Sequence, residues 1–272
     1  MEIHRAPFVI VAQARSGSTM LRRALHSHDA ICCHGELFMK KKVQGHSIYV
    51  PGLHWTEKPD ALLARREGDF TDFVQCLMFP PRAELSAIGF KVLDEQFFFP
   101  SNEVRLTNLI ASHPHMTLIF LYRQTALERY VSRLNRRGKF DSSRTQTLSA
   151  DDFRTFEHDS IDRMSRIYKL FPSHRKIVVS YESLAAHIEP TISFLYGVLG
   201  AQLAPVTIEE TKSAPKDLPT LIENYEELSS LPMPVFDHDT DDDPMSALAA
   251  LDPLPSSEQL RKAYELGRSF VI

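Results

Sequence analysis

The chain is poor in several things that would otherwise direct its reading. Its 272 residues include three cysteines and a single tryptophan. Cys32, Cys33 and Cys76 are odd in number and fall at no metal-ligand spacing, which argues against both a zinc site and a disulfide framework. The adjacent Cys32 and Cys33 read as small buried strand residues, and a reducing, cytoplasmic setting fits them. No apolar run approaches the roughly 20 residues of a membrane-spanning helix. The short apolar segment after Met1-Glu2-Ile3-His4-Arg5 does not read as a secretory leader. Positive charge is not in surplus, with 31 Lys and Arg against 35 Asp and Glu and a net charge of −4. Broad nucleic-acid binding is therefore not expected, and any basic surface must be local. Internal repeats are absent.

What remains is an ordinary globular composition, 43% hydrophobic and 24% charged, with enough length for one large α/β domain. The organising stretch is Phe8 to Leu25. Phe8-Val9-Ile10-Val11-Ala12 is a β-branched apolar run, expected as a buried strand. Gln13-Ala14-Arg15-Ser16-Gly17-Ser18-Thr19 follows, small and polar around one basic residue, and Met20, Leu21, Ala24 and Leu25 then recur at helical spacing. A strand, a small-residue loop and a helix N-terminus make an anion cradle, because unpaired backbone N–H groups and the positive end of the helix dipole face the loop. A phosphate-loop nucleotidase would show GxxxxGK[ST]. Here Ala12 stands at the first glycine position and Ser18 at the lysine position. Arg15 can supply the missing charge, with a fork suited to an oxyanion.

These residues, Ala14-Arg15-Ser16-Gly17-Ser18-Thr19-Met20-Leu21, resemble the 5′-phosphosulfate loop of sulfotransferases, the bacterial carbohydrate-type enzymes above all. The resemblance implies 3′-phosphoadenosine 5′-phosphosulfate (PAPS) as donor and as the one co-substrate. It also implies a three-layer α/β fold with a mostly parallel five-stranded sheet, in the nucleoside-kinase-like order with the first strand central. The alternation of five strands with helices requires the α/β class by itself.

The chain supplies the expected partners of that loop. Asp29 to Cys33 reads as a second strand ending in His34-Gly35-Glu36, where ligand groups gather in open α/β sheets. Bacterial members carry a Gly-Glu pair here, so the resemblance implies Glu36 as the base, with His34 in reserve. Ala87 to Leu93 is a third strand interrupted by Lys91, which either snorkels out or faces the site. Met116 to Tyr122 is a fourth strand running into Arg123. In the family an Arg at this strand end and a Ser about nine residues on hold the 3′-phosphate; Arg123 and Ser132 match. Arg133, Arg136, Arg137 and Lys139 add local positive charge. Lys176 to Glu182 is a fifth strand, and Ser180-Tyr181-Glu182-Ser183-Leu184 resembles the family's Tyr-Glu-x-Leu signature, which pins the strand end to the next helix. Lys212 and Lys216 sit where a basic loop closes over the nucleotide in sulfotransferases.

The donor set expected is therefore Arg15, Ser16, Gly17, Ser18, Thr19, Arg123, Ser132 and Lys212, with no metal. The acceptor is a hydroxyl-bearing molecule, a sugar by the resemblance; no partner nucleic acid and no membrane span are expected. Residues 39–60 form a long loop carrying Trp55, a possible acceptor lid. Helices are expected over Asn102 to Ser112 and Ser149 to Phe171. The domain is expected to end near 235, followed by an acidic linker over 236–255 and a helix packing back over 256–272. The run from Asp237 to Asp243 starts like a calcium loop, but Asp242 stands where Gly is needed and Leu248 where the closing Glu belongs. Two other classes compete: a small-molecule kinase or other phosphate-loop NTPase, against which the missing loop lysine counts, and a nucleotide-binding protein without catalysis.

Overall fold

The computed structural model describes residues 6–44, 49–50, 53–54, 59–78, 85–206 and 217–238. Trp55, Lys212, Lys216 and all of the sequence after His238 lie outside them, so the lid, the basic loop, most of the acidic run and the final helix are expectations on residues not described. Five parallel strands form one sheet: β1 (Ala6–Ala12), β2 (Ile31–Glu36), β3 (Ala87–Leu93), β4 (Thr117–Tyr122) and β5 (Lys176–Ser180). Their order is β2-β3-β1-β4-β5, with the first strand central. A second ladder pairs Tyr49–Val50 with Leu53–His54.

Successive strand residues point to opposite faces, and the core divides accordingly. Val9, Val11, Phe90, Val92, Leu118, Phe120 and Val178 face one layer, which includes α3 (Phe70–Met78), α5 (Asn102–Ala111) and α7 (Ala150–Leu170). Phe8, Ile10, Ala12, Ile119, Leu121, Ile177 and Val179 face the other, built by α1 (Ser18–His26), α8 (Tyr181–Ala186) and α9 (Ile188–Val198). Gly89 is required by this packing: a Cβ there would collide with the Phe8 carbonyl oxygen across the β1–β3 pair. Cys32 and Cys33 are buried in β2 and are not joined in a disulfide. Burial pushes the Cys33 thiol up to about 12, far from a reactive thiolate.

Two elements differ from the sequence expectation. Pro59 opens a helix, α2 (Pro59–Gly68), where a loop was expected up to residue 60; proline is favoured in a first helical turn because its missing N–H would have no partner there. Strand β2 continues through Glu36 instead of ending at Cys33. Its register against β3 shifts between Cys33 and Glu36, so Cys33 lies opposite Gly89 but Glu36 lies opposite Lys91. One extra residue is thereby inserted on the β2 side, a bulge that re-aims the side chain after it.

Candidate active site

With β1 central, the carboxyl ends of all five strands deliver polar residues to one edge of the sheet: Gln13 after β1, Glu36 at the end of β2, Asp94 after β3, Arg123 after β4 and Tyr181 after β5. Open α/β sheets bind ligands at this edge.

The loop after β1 is tightly wound. Arg15 has φ of 69° and Gly17 φ of 81°. Ser16 is buried, and its hydroxyl donates to the Gln13 carbonyl at 2.8 Å. The Ser16 side chain therefore shapes the turn from inside. Gly17 caps α1 from the left-handed region, and the first turn of α1 holds no acidic residue. In that turn Met20 N–H donates to the Gly17 carbonyl at 2.9 Å, and the turn carries the positive end of the helix dipole. A Cβ on Gly17 would come within 2.5 Å of the Tyr181 ring. Gly17→Ala is thus expected to cost about 1–3 kcal/mol, left-handed strain and ring displacement together. Urea denaturation checks this, and an unchanged midpoint would remove the close approach from the account of the loop.

Two guanidinium groups, those of Arg15 and Arg123, sit beside this loop. Arg15 donates from Nε to Ser132 Oγ at 2.9 Å, joining the loop to α6 (Ala126–Arg136). Burial, then repulsion from Arg136 and Arg123, lowers its pKa; an arginine stays charged regardless, so like charges are held close together. The Arg123 guanidinium stacks on the Tyr181 ring, 4.5 Å from its centroid, while its Nε donates to Thr125 Oγ1 at 2.8 Å. The Tyr181 ring therefore lies against both Gly17 and Arg123. Glu182 accepts from the Gln124 and Thr125 backbone N–H groups and the Thr125 hydroxyl at 3.0–3.1 Å, fixing the start of α6. Gln13 Oε1 accepts from Arg123 N at 2.9 Å.

A second cluster sits at the ends of β2 and β3. Lys91, 4% exposed, points inward, which settles its direction. Its Nζ lies 2.9 Å from Glu36 Oε1 and donates to Thr19 Oγ1 at 3.3 Å. Gln96, in the short α4 (Asp94–Phe97), donates to Glu36 Oε2 at 2.6 Å. Burial alone would push the Glu36 carboxyl up. The Lys91 charge, the hydrogen bonds from Lys91 and Gln96, and more distantly Lys42 outweigh burial and hold it below the ordinary carboxylate range. Thr19 on α1 thus touches the cation that pairs with Glu36, so loop and carboxylate are neighbours.

His34 is the clearest correction. It is wholly buried, with Nε2 3.0 Å from the Leu77 carbonyl oxygen and 3.6 Å from Cys32 Sγ. Two residues before Glu36 and inside the register shift, its ring is buried against the Leu77 carbonyl of α3, where no acceptor hydroxyl can reach it as the reserve base would require. Gln96 and Tyr181 carry functions that sequence spacing did not reveal. Ser18, the first residue of α1, is buried.

A buried ion-pair frame stands behind the site. Arg129, wholly buried, pairs with Glu157 and donates to the Ala14 carbonyl at 3.3 Å and to Ser160 Oγ at 3.2 Å. Ser160 donates to Asp94 Oδ2, which also takes Arg163 Nε at 3.0 Å. Among the described residues no group of three or more His, Cys, Asp or Glu could hold a metal ion, and no helix is long and apolar enough to cross a membrane.

Residues 7–205 match the family model described as "Sulfotransferase family". The chain is 26% identical over 240 residues to Nodulation protein H of Rhizobium meliloti, covering 82% of this chain and 89% of that protein. Nodulation protein H of Rhizobium meliloti (strain 1021) is likewise 26% identical, over 238 residues, with the same coverage. Among solved structures, the sulfotransferase domain from the curacin biosynthetic pathway superposes with a TM-score of 0.51 over 97% of this chain and 99% of that one, at 18% identity.

Proposed function

The chain belongs to the sulfotransferase family, and we propose that it moves a sulfuryl group from PAPS to a carbohydrate hydroxyl. The observation that carries the donor is the placing of Arg15, hydrogen-bonded to Ser132, and Arg123, stacked on Tyr181, beside a helix N-terminus whose first turn holds no acidic residue. Guanidinium forks and a helix N-terminus both favour an oxyanion. A donor with phosphate at both ends of its ribose needs two such places. The loop N–H groups with Arg15, Thr19 and Lys91 hold the sulfate end; Arg123 and Ser132 hold the 3′-phosphate, with Arg15 hydrogen-bonded to Ser132 between the two. The glycine at position 17 leaves room for the Tyr181 ring to pack against the loop.

In the transfer, the acceptor oxygen forms a bond to sulfur as the bond from sulfur to the phosphate oxygen breaks, and 3′-phosphoadenosine 5′-phosphate leaves. Glu36 takes the acceptor proton, and Lys91 offsets charge on the sulfuryl oxygens. The chemistry is positioning and electrostatics, as in phosphoryl transfer. The carbohydrate acceptor follows from the resemblance of the loop and of Gly35-Glu36 to the carbohydrate-type enzymes. The kinase alternative is weakened by Ser18 at the lysine position.

The test is a thermal-shift comparison. Ligand binding to the native state raises Tm by mass action, so 3′-phosphoadenosine 5′-phosphate is expected to raise it more than ATP with magnesium does. Arg123→Ala is expected to weaken the nucleotide about tenfold to a hundredfold, the worth of a lost charge-assisted bond. Equal shifts with both nucleotides, or an unaffected variant, would reverse the donor assignment.

A further inference from the structure

The groove between α6 and α7 is used neither by the anion loop nor by the Glu36 cluster. Tyr130, Arg133, Leu134 and Arg137 line it from α6, at the i, i+3, i+4, i+7 spacing of one helix face. Asp152, Phe156 and Asp159 line it from α7 at the same kind of spacing, and Glu95 closes one end. Its volume is about 370 Å³, toward the small end of the roughly 300–1,000 Å³ of ligand pockets.

Two links tie this groove to the site. Arg133 follows Ser132, which takes the Arg15 hydrogen bond, so groove and anion cluster occupy adjacent faces of one helix. Glu95 precedes Gln96, which holds Glu36. Arg133 and Glu95 are themselves paired at 3.0 Å, and both line the groove. A molecule reacting at Glu36 and extending past that pair would enter the groove.

The lining chemistry selects the occupant. The wall is aromatic and aliphatic, with Tyr130 and Phe156 ring centroids 5.4 Å apart and the Arg133 guanidinium 5.0 Å from the Phe156 centroid. Around it stand charges of both signs, Arg133, Arg137, Lys139 and Arg163 against Glu95, Asp152 and Asp159. With the two signs nearly balanced, a ligand charged either way gains little, and a lipid chain would bury charge without return. An uncharged polyol suits both signs, since its hydroxyls donate to carboxylates and accept from guanidinium groups. A pyranose adds a C–H face for the aromatic wall.

We infer that this groove is a subsite for a neutral oligosaccharide, holding the sugar units of the acceptor that are remote from the reacting hydroxyl. The inference rests on the sulfotransfer reading for its purpose, but the binding itself can be measured without turnover. The experiment titrates the full chain, by calorimetry and saturation-transfer NMR, with neutral oligosaccharides of glucose, galactose and N-acetylglucosamine and with the matching monosaccharides. The variant is R137A/D152A; both side chains are exposed, and an unchanged Tm verifies the fold. Oligosaccharides are expected to bind better than single sugars, and the variant to weaken them about tenfold to a hundredfold, the scale of lost charge-assisted bonds. Affinity for 3′-phosphoadenosine 5′-phosphate, measured in parallel, is expected to stay the same in both proteins. Equal oligosaccharide affinity in variant and wild type, or no binding by any of the panel, overturns the subsite. Loss of nucleotide affinity in the variant overturns it too, because the groove would then belong to the donor. Failure of the nucleotide to bind the wild type strikes the donor reading alone, and the groove stands or falls on its own titration.

Discussion

Glu36→Gln is expected to lower kcat by about 10²–10⁴-fold, the usual worth of a positioned general base, while nucleotide affinity changes little. Glutamine keeps the length and shape of the side chain, and its carbonyl can still accept from Gln96. It cannot take a proton from an alcohol. In the wild type the carboxyl is held below its ordinary range by Lys91 and Gln96 against the upward push of burial, and a carboxylate with low proton affinity is a weak base. Lys91 has three N–H donors, one already directed to Thr19. A bound sulfate competes for that charge and lets the carboxyl rise toward a useful range. The wild-type rate for the free enzyme is expected to fall only at pH below the ordinary glutamate range, because the base must be ionised and its pKa is lowered. The variant loses this acidic limb. Single-turnover rates and nucleotide titration on the same variant decide the matter. A weakened nucleotide with an intact rate would make Glu36 a structural partner of Lys91 and nothing more.

Much of this site was legible because each strand announces itself as a bounded apolar run and each ligand group follows one. The loop from Gln13 to Thr19 and Arg123 after β4 stand at strand or helix ends that spacing defines, and Ser132 stands about nine residues further on, within α6. Other features depend on relations between distant segments. That Glu36 and not Gly35 faces Lys91 follows from a bulge in the β2–β3 register, which no periodicity in β2 alone reveals. The inward direction of Lys91 depends on having Glu36 and Thr19 for partners. Tyr181 looked like part of a structural signature, yet it packs on Gly17 and stacks under Arg123, contacts spanning more than fifty residues of sequence. His34 shows the opposite error: nearness to Glu36 along the strand says nothing about which side of the sheet it faces. Gln96 hid in a single-turn helix after β3, where only its bond to Glu36 gives it meaning.

Lys91→Met tests that same pairing from the other side and is expected to damage both stability and catalysis. Methionine matches the unbranched apolar stem but removes the charge. Glu36 is then left largely buried without its counter-ion, and breaking a buried pair in this way costs about 3–5 kcal/mol. The low end is expected here because 19% of the Glu36 side chain remains exposed. The pH dependence carries the diagnosis. In the wild type the folded Glu36 pKa lies below its unfolded value, so the group stabilises the fold above the unfolded pKa and loses that contribution as pH falls through the folded one. In the variant, burial dominates and the folded pKa rises above the unfolded value. The carboxylate then destabilises the fold at neutral pH, and protonation relieves it as pH falls through the raised pKa. The stability gap between the two proteins is therefore widest near pH 7.5 and narrows by pH 5, measurable by urea denaturation at each. A gap independent of pH would assign the loss to packing and to the Thr19 hydrogen bond instead. Catalysis is expected to fall by about 10²–10³-fold in kcat, the scale for one preorganised electrostatic contact in the transition state. Lys91→Arg, which restores the charge with a bulkier head, is expected to recover most of the stability at pH 7.5 and only part of the rate, since stability needs the charge while transfer needs it in place.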